Sequence, residues 1–296
     1  MTTSIKVWAA QIRAPFLLLS VFLVLIGGAV ARAEGHFDLL HFLLAMVGVV
    51  LVHASVNLFN EHSDHHSGID HHTSRTPFSG GSGTLQAGHT TSRGVMAAAV
   101  FTLLVSFGIG VYLTWIAGWE LMLFIVPGGL ATVAYTRWLA RWMLGELAAG
   151  ITLGSFVVLG TYFALTGTLS VTVVWLSIPP GILTALLLLL NEFPDVEADR
   201  QGGRRHLVIA LGWRRAAVLY TVSLAISYLV LVAGVVLGRL SPWVLLALLT
   251  LPLALKAVVG ALRHGATLDK LVPAMGANVG VVLGTDLLIA VAYFIR

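Results

Sequence analysis

The chain has no cysteine, which excludes disulfides and thiolate metal sites outright. It is also poor in charge. Asp, Glu, Lys and Arg make up only 10% of its 296 residues, where a soluble domain carries about a quarter. Heptad repeats and low-complexity tracts are missing too. What is there is apolar: hydrophobic residues fill 58% of the chain and the mean hydropathy is +0.94. That composition reads as a polytopic membrane protein. The pI of 9.7 would suit nucleic acid, but the basic residues sit in short loops between apolar segments instead of forming one patch. This is the mark of membrane topology, and no nucleic-acid partner is expected.

A hydrocarbon core of ~30 Å takes about 20 apolar residues per helix. Nine segments qualify: 14–33, 38–60, 94–116, 119–136, 145–166, 171–191, 213–237, 242–263 and 270–294. The third and fourth are joined by so tight a turn that eight is the alternative count. The expected fold is all-α, one integral-membrane domain over residues 1–296. Lys6 and Arg13 precede the first apolar run, and Ala31-Arg32-Ala33 has the small-x-small shape of a signal-peptidase site. The run is long for a signal sequence and the next segment returns across the membrane at once, so it is read as a retained span.

Lys and Arg fix the orientation. Placing the N-terminus and the loops 61–93, 137–144, 192–212 and 264–269 on one side gathers thirteen basic residues there, against three on the other. The N-terminus and the long loops are therefore expected in the cytoplasm of a prokaryotic-type cell membrane.

The scarce acids are not spread evenly. Residues 57–83, NLFNEHSDHHSGIDHHTSRTPFSGGSG, hold Glu61, Asp64, Asp70, five histidines and Arg75. Residues 191–205, NEFPDVEADRQGGRR, hold Glu192, Asp195, Glu197 and Asp199. These two islands, both on the cytoplasmic side, carry seven of the 13 acids. A single polar loop between membrane helices is ordinarily a solvated connector. Two islands, each led by Asn, each with polar residues four apart that include an Asp, and each followed by Gly and Arg, form a pattern. Asn60 and Asp64 share one helical face, as do Asn191, Asp195 and Asp199. Carboxylate and amide oxygens without thiols suit Mg2+ or Mn2+, and Mg2+ is commonly shared between a few carboxylates and substrate phosphates. Arg75, Arg137, Arg204 and Arg205 are the candidates to bind further phosphate oxygens. The glycines of 80–83 and 202–203 would let backbone N–H groups approach the same anion.

The stretch NEHSDHHSGID (60–70) resembles the first aspartate-rich motif of UbiA-type intramembrane prenyltransferases. DVEADRQGGRRHLVIALG (195–212) is similar to their second motif and its tail. The likeness extends through Tyr135-Thr136, Gly145-Glu146 and Gly160-Thr161-Tyr162, and so spans most of the chain. Its nearest form is the dihydroxynaphthoate polyprenyltransferases of menaquinone synthesis, which share the six-residue step from Asp64 to Asp70. The resemblance implies a nine-helix bundle with a central cavity and cytoplasmic cap loops. It implies Mg2+ held by Asn60, Asp64, Asp70, Asn191, Asp195 and Asp199, with a polyprenyl diphosphate as donor and a small aromatic molecule as acceptor. Tyr135 would face the allylic cation or orient the acceptor; an interfacial packing tyrosine is the plain alternative. Glu61 stands where Asp is usual and Arg204 where Lys is usual, while Pro194 and residues 137–141 also depart from the pattern. These departures leave the acceptor open among naphthoate, hydroxybenzoate, homogentisate and glycerol-phosphate compounds.

The His62, His65, His66 and His71-His72 boxes resemble those of membrane di-iron oxidases and metal transporters. Such sites need several His boxes, and the second island offers carboxylates instead. Asn278, near the cytoplasmic end of the last span, is expected to line the acceptor cavity. Asp286 falls beyond the bilayer centre and is left out of the site. Chain length of the isoprenoid and oligomeric state leave no sequence signal.

Overall fold

The computed structural model describes residues 2–69, 75–135 and 138–296. All regular structure among the described residues is helical. A short helix α1 (Thr2–Gln11) turns at Arg13, held in the left-handed region at φ 51, into α2 (Ala14–Ala33). Then follow α3 (Leu39–Ser67), α4 (Ser92–Ala117), α5 (Trp119–Ala134), α6 (Gly145–Thr166) and α7 (Val171–Asn191). Two short helices, α8 (Val196–Gln201) and α9 (Leu207–Leu211), lead to α10 (Trp213–Val236), α11 (Pro242–His264) and α12 (Leu268–Phe294).

Eight of these, α2–α4, α6, α7 and α10–α12, are long and apolar enough to cross a membrane. The ninth expected crossing, 119–136, is the shorter α5, so among the described residues eight helices reach full spanning length and the count of nine is not confirmed. Pro127 lies inside α5, followed at once by Gly128-Gly129, residues with weak helix propensity. The bundle is apolar outside as well as in. Trp115 and Val236 are 90% and 78% exposed, which in this chain means facing lipid.

Helix starts are set by local chemistry. Asp38, Thr91 and Ser170 each accept a backbone N–H of the first turn of α3, α4 and α7, satisfying one orphan donor apiece. Helix ends place the islands. α3 runs past its expected end at 60 to Ser67, where Gly68 takes the left-handed conformation (φ 75) that closes helices. Glu61 and Asp64 of the first island thus lie in the last two turns of a membrane helix. α7 stops at Asn191 because Pro194 cannot donate to a continuing ladder.

α2 is the hub and packs against α12, α6 and α3; Leu23, Ile26, Ala29 and Val30 are fully buried. The segment carrying the signal-like Ala31-Arg32-Ala33 is therefore a central element of the bundle. α7 packs on α6, α10 and α12. Where α6 meets α7 the backbones almost touch: a Cβ on Gly154 would lie 2.6 Å from Gly181 Cα, the close approach that small residues allow in membrane bundles. Across this contact α6 bulges into a π-helix over Ala149–Ser155. On its other side α6 faces α3, α4 and α5 across a cavity of about 370 Å³.

Candidate active site at the polar mouth of the cavity

The cavity is apolar along its depth, walled by Leu113, Phe124, Phe156 and Leu187 among others, and polar at one end. That end collects Asn57, Asn60 and Asp64 from α3, Asn191 from α7, and Glu192, Asp195, Asp199, Arg204 and His206 from the second island and its tail. Arg13 and Tyr135 complete the rim. The two islands, more than a hundred residues apart in sequence, therefore face one space.

Arg204 joins them. Its Nη2 pairs with Asp64 of the first island, and its Nη1 donates to Asp199 Oδ1 of the second at 3.1 Å. Burial alone would lower its pKa; the Asp64 and Asp199 carboxylates outweigh this and hold it above its ordinary value. A forked guanidinium serves two carboxylates at once, which a lysine ammonium does less well.

Around this bridge lie buried polar atoms with no hydrogen-bond partner among the described residues: Asn191 Oδ1, Asp195 Oδ1 and Arg204 Nε. Burial, with Asp199 next to it, pushes the Asp195 carboxyl up to about 7. Buried acceptors left unmatched at the mouth of a cavity are expensive, and hard oxygen donors of this kind fit a dication carrying phosphate. The donor set of Asn60, Asp64, Asn191, Asp195 and Asp199 thus suits Mg2+.

At the mouth and just behind it, several residues have partners that the sequence does not reveal. Arg13 reaches it through the left-handed turn between α1 and α2, and a lone arginine before a span carries no signal of its own. Glu61, 1% exposed, accepts from Gln11 Nε2 at 3.1 Å, from Ser82 N at 2.7 Å and from Ser82 Oγ at 2.6 Å. Arg13 Nε lies 3.5 Å from the same carboxylate. Thr84 and Thr90 both donate to Gln11 Oε1. Glu61 is the knot that ties α1, α3 and the glycine loop together. Glu146, Glu192 and His206 form a third group, with His206 Nε2 3.5 Å from Asp199 Oδ2.

Other expectations fall differently. Asn278 is fully buried and does not line the cavity: it accepts from Tyr220 Oη at 2.9 Å and donates to Leu186 O at 3.3 Å. It is a polar tie between α12, α10 and α7. Arg205 is exposed and absent from the rim; its backbone N–H donates to Ala140 O at 2.8 Å. Arg75 is exposed too, its guanidinium laid against Gly83, where a Cβ would lie 2.5 Å from Nη1. Its loop still contributes Ser79, Gly80 and Gly81 to the cavity wall. Asp70, Arg137, His71 and His72 lie outside the described residues. His62 bonds to Ser92 Oγ at 2.9 Å and stacks on His66 with centroids 4.3 Å apart, on the α4 side and away from the mouth. Among the described residues these histidines join no group of three potential metal ligands.

Residues 20–272 match the UbiA prenyltransferase family. A curated relative, the 1,4-dihydroxy-2-naphthoate octaprenyltransferase of Bacillus subtilis (strain 168), is 31% identical, with 88% of this chain and 84% of that protein covered. Among solved structures, a UbiA homolog from Aeropyrum pernix K1 superposes with a TM-score of 0.67 at 21% identity, over 90% of this chain and 97% of that one. A UbiA homolog from Archaeoglobus fulgidus bound to GPP and Mg2+ superposes with a TM-score of 0.63 at 13% identity, over 98% of this chain and 100% of that one.

Proposed function

The chain belongs to the UbiA prenyltransferase family and is a membrane prenyltransferase; from that premise we propose that it transfers a polyprenyl group from a polyprenyl diphosphate to 1,4-dihydroxy-2-naphthoate, in a Mg2+-dependent reaction at the cytoplasmic face. The observation that carries the reading is the Arg204 bridge, which brings Asp64 and Asp199 from opposite islands to the mouth of one apolar cavity. The acceptor rests on the Bacillus relative, which matches over most of both chains.

Asn60, Asp64, Asn191, Asp195 and Asp199 would hold Mg2+, with Asp70 as a further candidate. When bound, the ion neutralises charge that builds on the departing diphosphate. Arg204 and Arg13 add fixed positive charge at the same rim, placed before the reaction starts; Arg75, Arg137 and Arg205 are available from the flanking loops. The isoprenoid tail lies along the apolar cavity, whose walls keep water from the allylic carbon as its C–O bond breaks. An electron-rich ring carbon of the acceptor then forms the new C–C bond and the ring loses a proton. The Tyr135 ring at the rim presents a face that favours positive charge.

The test is direct. Purified protein receives labelled polyprenyl diphosphate, Mg2+ and either 1,4-dihydroxy-2-naphthoate or 4-hydroxybenzoate. The expected result is a lipid-soluble product from the naphthoate, lost in EDTA and in both Asp64→Ala and Asp195→Ala. Product from hydroxybenzoate alone would overturn the acceptor. No product and no diphosphate binding in Mg2+ would overturn the reaction.

A further inference from the structure

Next to Asp199 the chain brings together three ligating groups, two of them buried, to which the transfer reaction above gives no role. Glu146 comes from the first turn of α6, Glu192 from the end of α7, and His206 from the start of α9. One ligand atom from each lies within 4.8 Å of the others. Glu146 is 3% exposed and His206 4%. Glu146 Oε2, Glu192 Oε2 and both imidazole nitrogens of His206 have no hydrogen-bond partner. A proton shared between the two carboxylates would match their oxygens but give the imidazole nothing.

The orientation of the group is that of a ligand set. His206 Nδ1 faces Glu192 Oε2 at 3.6 Å, while Nε2 faces Asp199 Oδ2 at 3.5 Å. A metal-ligating histidine typically gives one nitrogen to the ion and directs the N–H of the other at a carboxylate. Glu146 is likewise held from behind, its Oε1 accepting Leu207 N–H at 2.8 Å. Ligand atoms ~2.1 Å from one ion lie at most ~4.2 Å apart, so small side-chain rotations close the set. Imidazole with two carboxylates suits a first-row transition dication better than Mg2+, which favours oxygen alone.

We propose that Glu146, Glu192 and His206 bind a transition dication of the Zn2+ or Mn2+ type, separate from the diphosphate-linked Mg2+ and joined to it through His206 and Asp199. The ion neutralises two buried carboxylates and pins the second island to the start of α6. This site stands whether or not the acceptor assignment is right, because its test reads bound metal and not product.

Full-length protein in detergent, stripped with chelator, is titrated with Zn2+ in excess Mg2+, and bound metal is counted by mass spectrometry. One equivalent is expected, retained in the Asp64→Asn/Asp195→Asn double variant. Affinity should fall at least ~100-fold in His206→Thr and in Glu192→Asn, beyond what loss of an orienting neighbour costs. X-ray absorption at the zinc edge of the unmodified protein needs no variant to fold and should read one imidazole among oxygen donors. A shell of oxygens only, or of several imidazoles, would overturn the proposal. So would zinc that stays in His206→Thr but leaves when His62, His65 and His66 are all changed to Ala, and so would no retention of zinc in excess Mg2+.

Discussion

The two acidic islands look alike in sequence and are built as opposites. The first is a continuation of α3, and its innermost acid, Glu61, is saturated by Gln11, Ser82 and Arg13. The second begins where α7 breaks, and its polar groups are left wanting: Asn191, Glu192 and Asp195 each keep a buried oxygen without a hydrogen-bond partner among the described residues. A saturated carboxylate contributes rigidity, because removing it strands its donors. An unsaturated buried carboxylate costs stability and is retained where a ligand will complete it. On the proposed function, the first island is mainly scaffold with Asn60 and Asp64 at its edge, and the second is mainly binding surface.

Arg204 pairs with an acid of each island, so breaking it should have the largest effect. Arg204→Ala leaves Asp64 and Asp199 facing each other without a countercharge and removes a donor aimed at the leaving group. Prenyl transfer is expected to fall by about 10²–10³-fold, the scale of one lost preorganised donor. Arg204→Lys keeps the charge but not the fork, and should retain a larger share of the rate. Steady-state assays of both variants check this; equal loss in the two would mean that the fork, and not the charge, is what the site needs.

The contrast in saturation predicts opposite stability effects. Glu61→Ala strands Gln11, Ser82 and Arg13 and is expected to destabilise by about 3–5 kcal/mol, as does removal of one partner from a buried ionic network. Asp195→Asn relieves like-charge crowding with Asp199 and should leave the metal-free protein as stable as wild type or more so, while transfer is lost. Thermal unfolding in detergent with chelator measures both. A lowered midpoint in Asp195→Asn would contradict the view of the second island as strained until filled.

How much of this was legible in the sequence follows from the same contrast. The spans and the islands declare themselves, because a charge in a chain this apolar stands out against its surroundings. Polar residues four apart are equally plain: Asn60 and Asp64 reach the mouth from α3, and Asn191, Asp195 and Asp199 reach it too, although the break after Asn191 means that they share no single helical face. What stays hidden depends on rotation about a helix axis or on contacts between distant loops. Asn278 sits at the expected depth, but α12 is apolar all round, and nothing in its pattern says that it turns towards Tyr220. Arg13 depends on one left-handed residue. Glu146 meets Glu192 and His206 only because Gly150 and Gly154 bring α6 onto α7.

A smaller effect sharpens the picture of the second island through pH. The Asp195 carboxyl titrates near 7, above the ~3.9 of an unfolded aspartate. Its protonated form therefore favours the folded, metal-free protein, and that contribution is lost as pH rises through about 7. Mg2+ and diphosphate need the ionised form, so their apparent affinity should climb with pH up to about 7 and then level off. Below that point each binding event should release a proton. Calorimetry in two buffers of different ionisation enthalpy reads the proton directly, and no proton release at pH 6 would place the ion away from Asp195.

The smallest effect belongs to the histidines of the first island. His62, His65 and His66 lie along the tail of α3, with His62 bonded to Ser92 across to α4 and His66 bonded back to His62 O at 2.9 Å. None of the three reaches the cavity rim. Replacing all three with Ala removes partly exposed polar groups from a scaffold that Glu61 already holds, a change expected to stay within about 0.5 kcal/mol per site. Transfer rate and Mg2+ affinity should then match wild type within assay error. A collapse of activity would mean that the first island binds ligand through its imidazoles, and the division of labour between the two islands would have to be redrawn with metal on both.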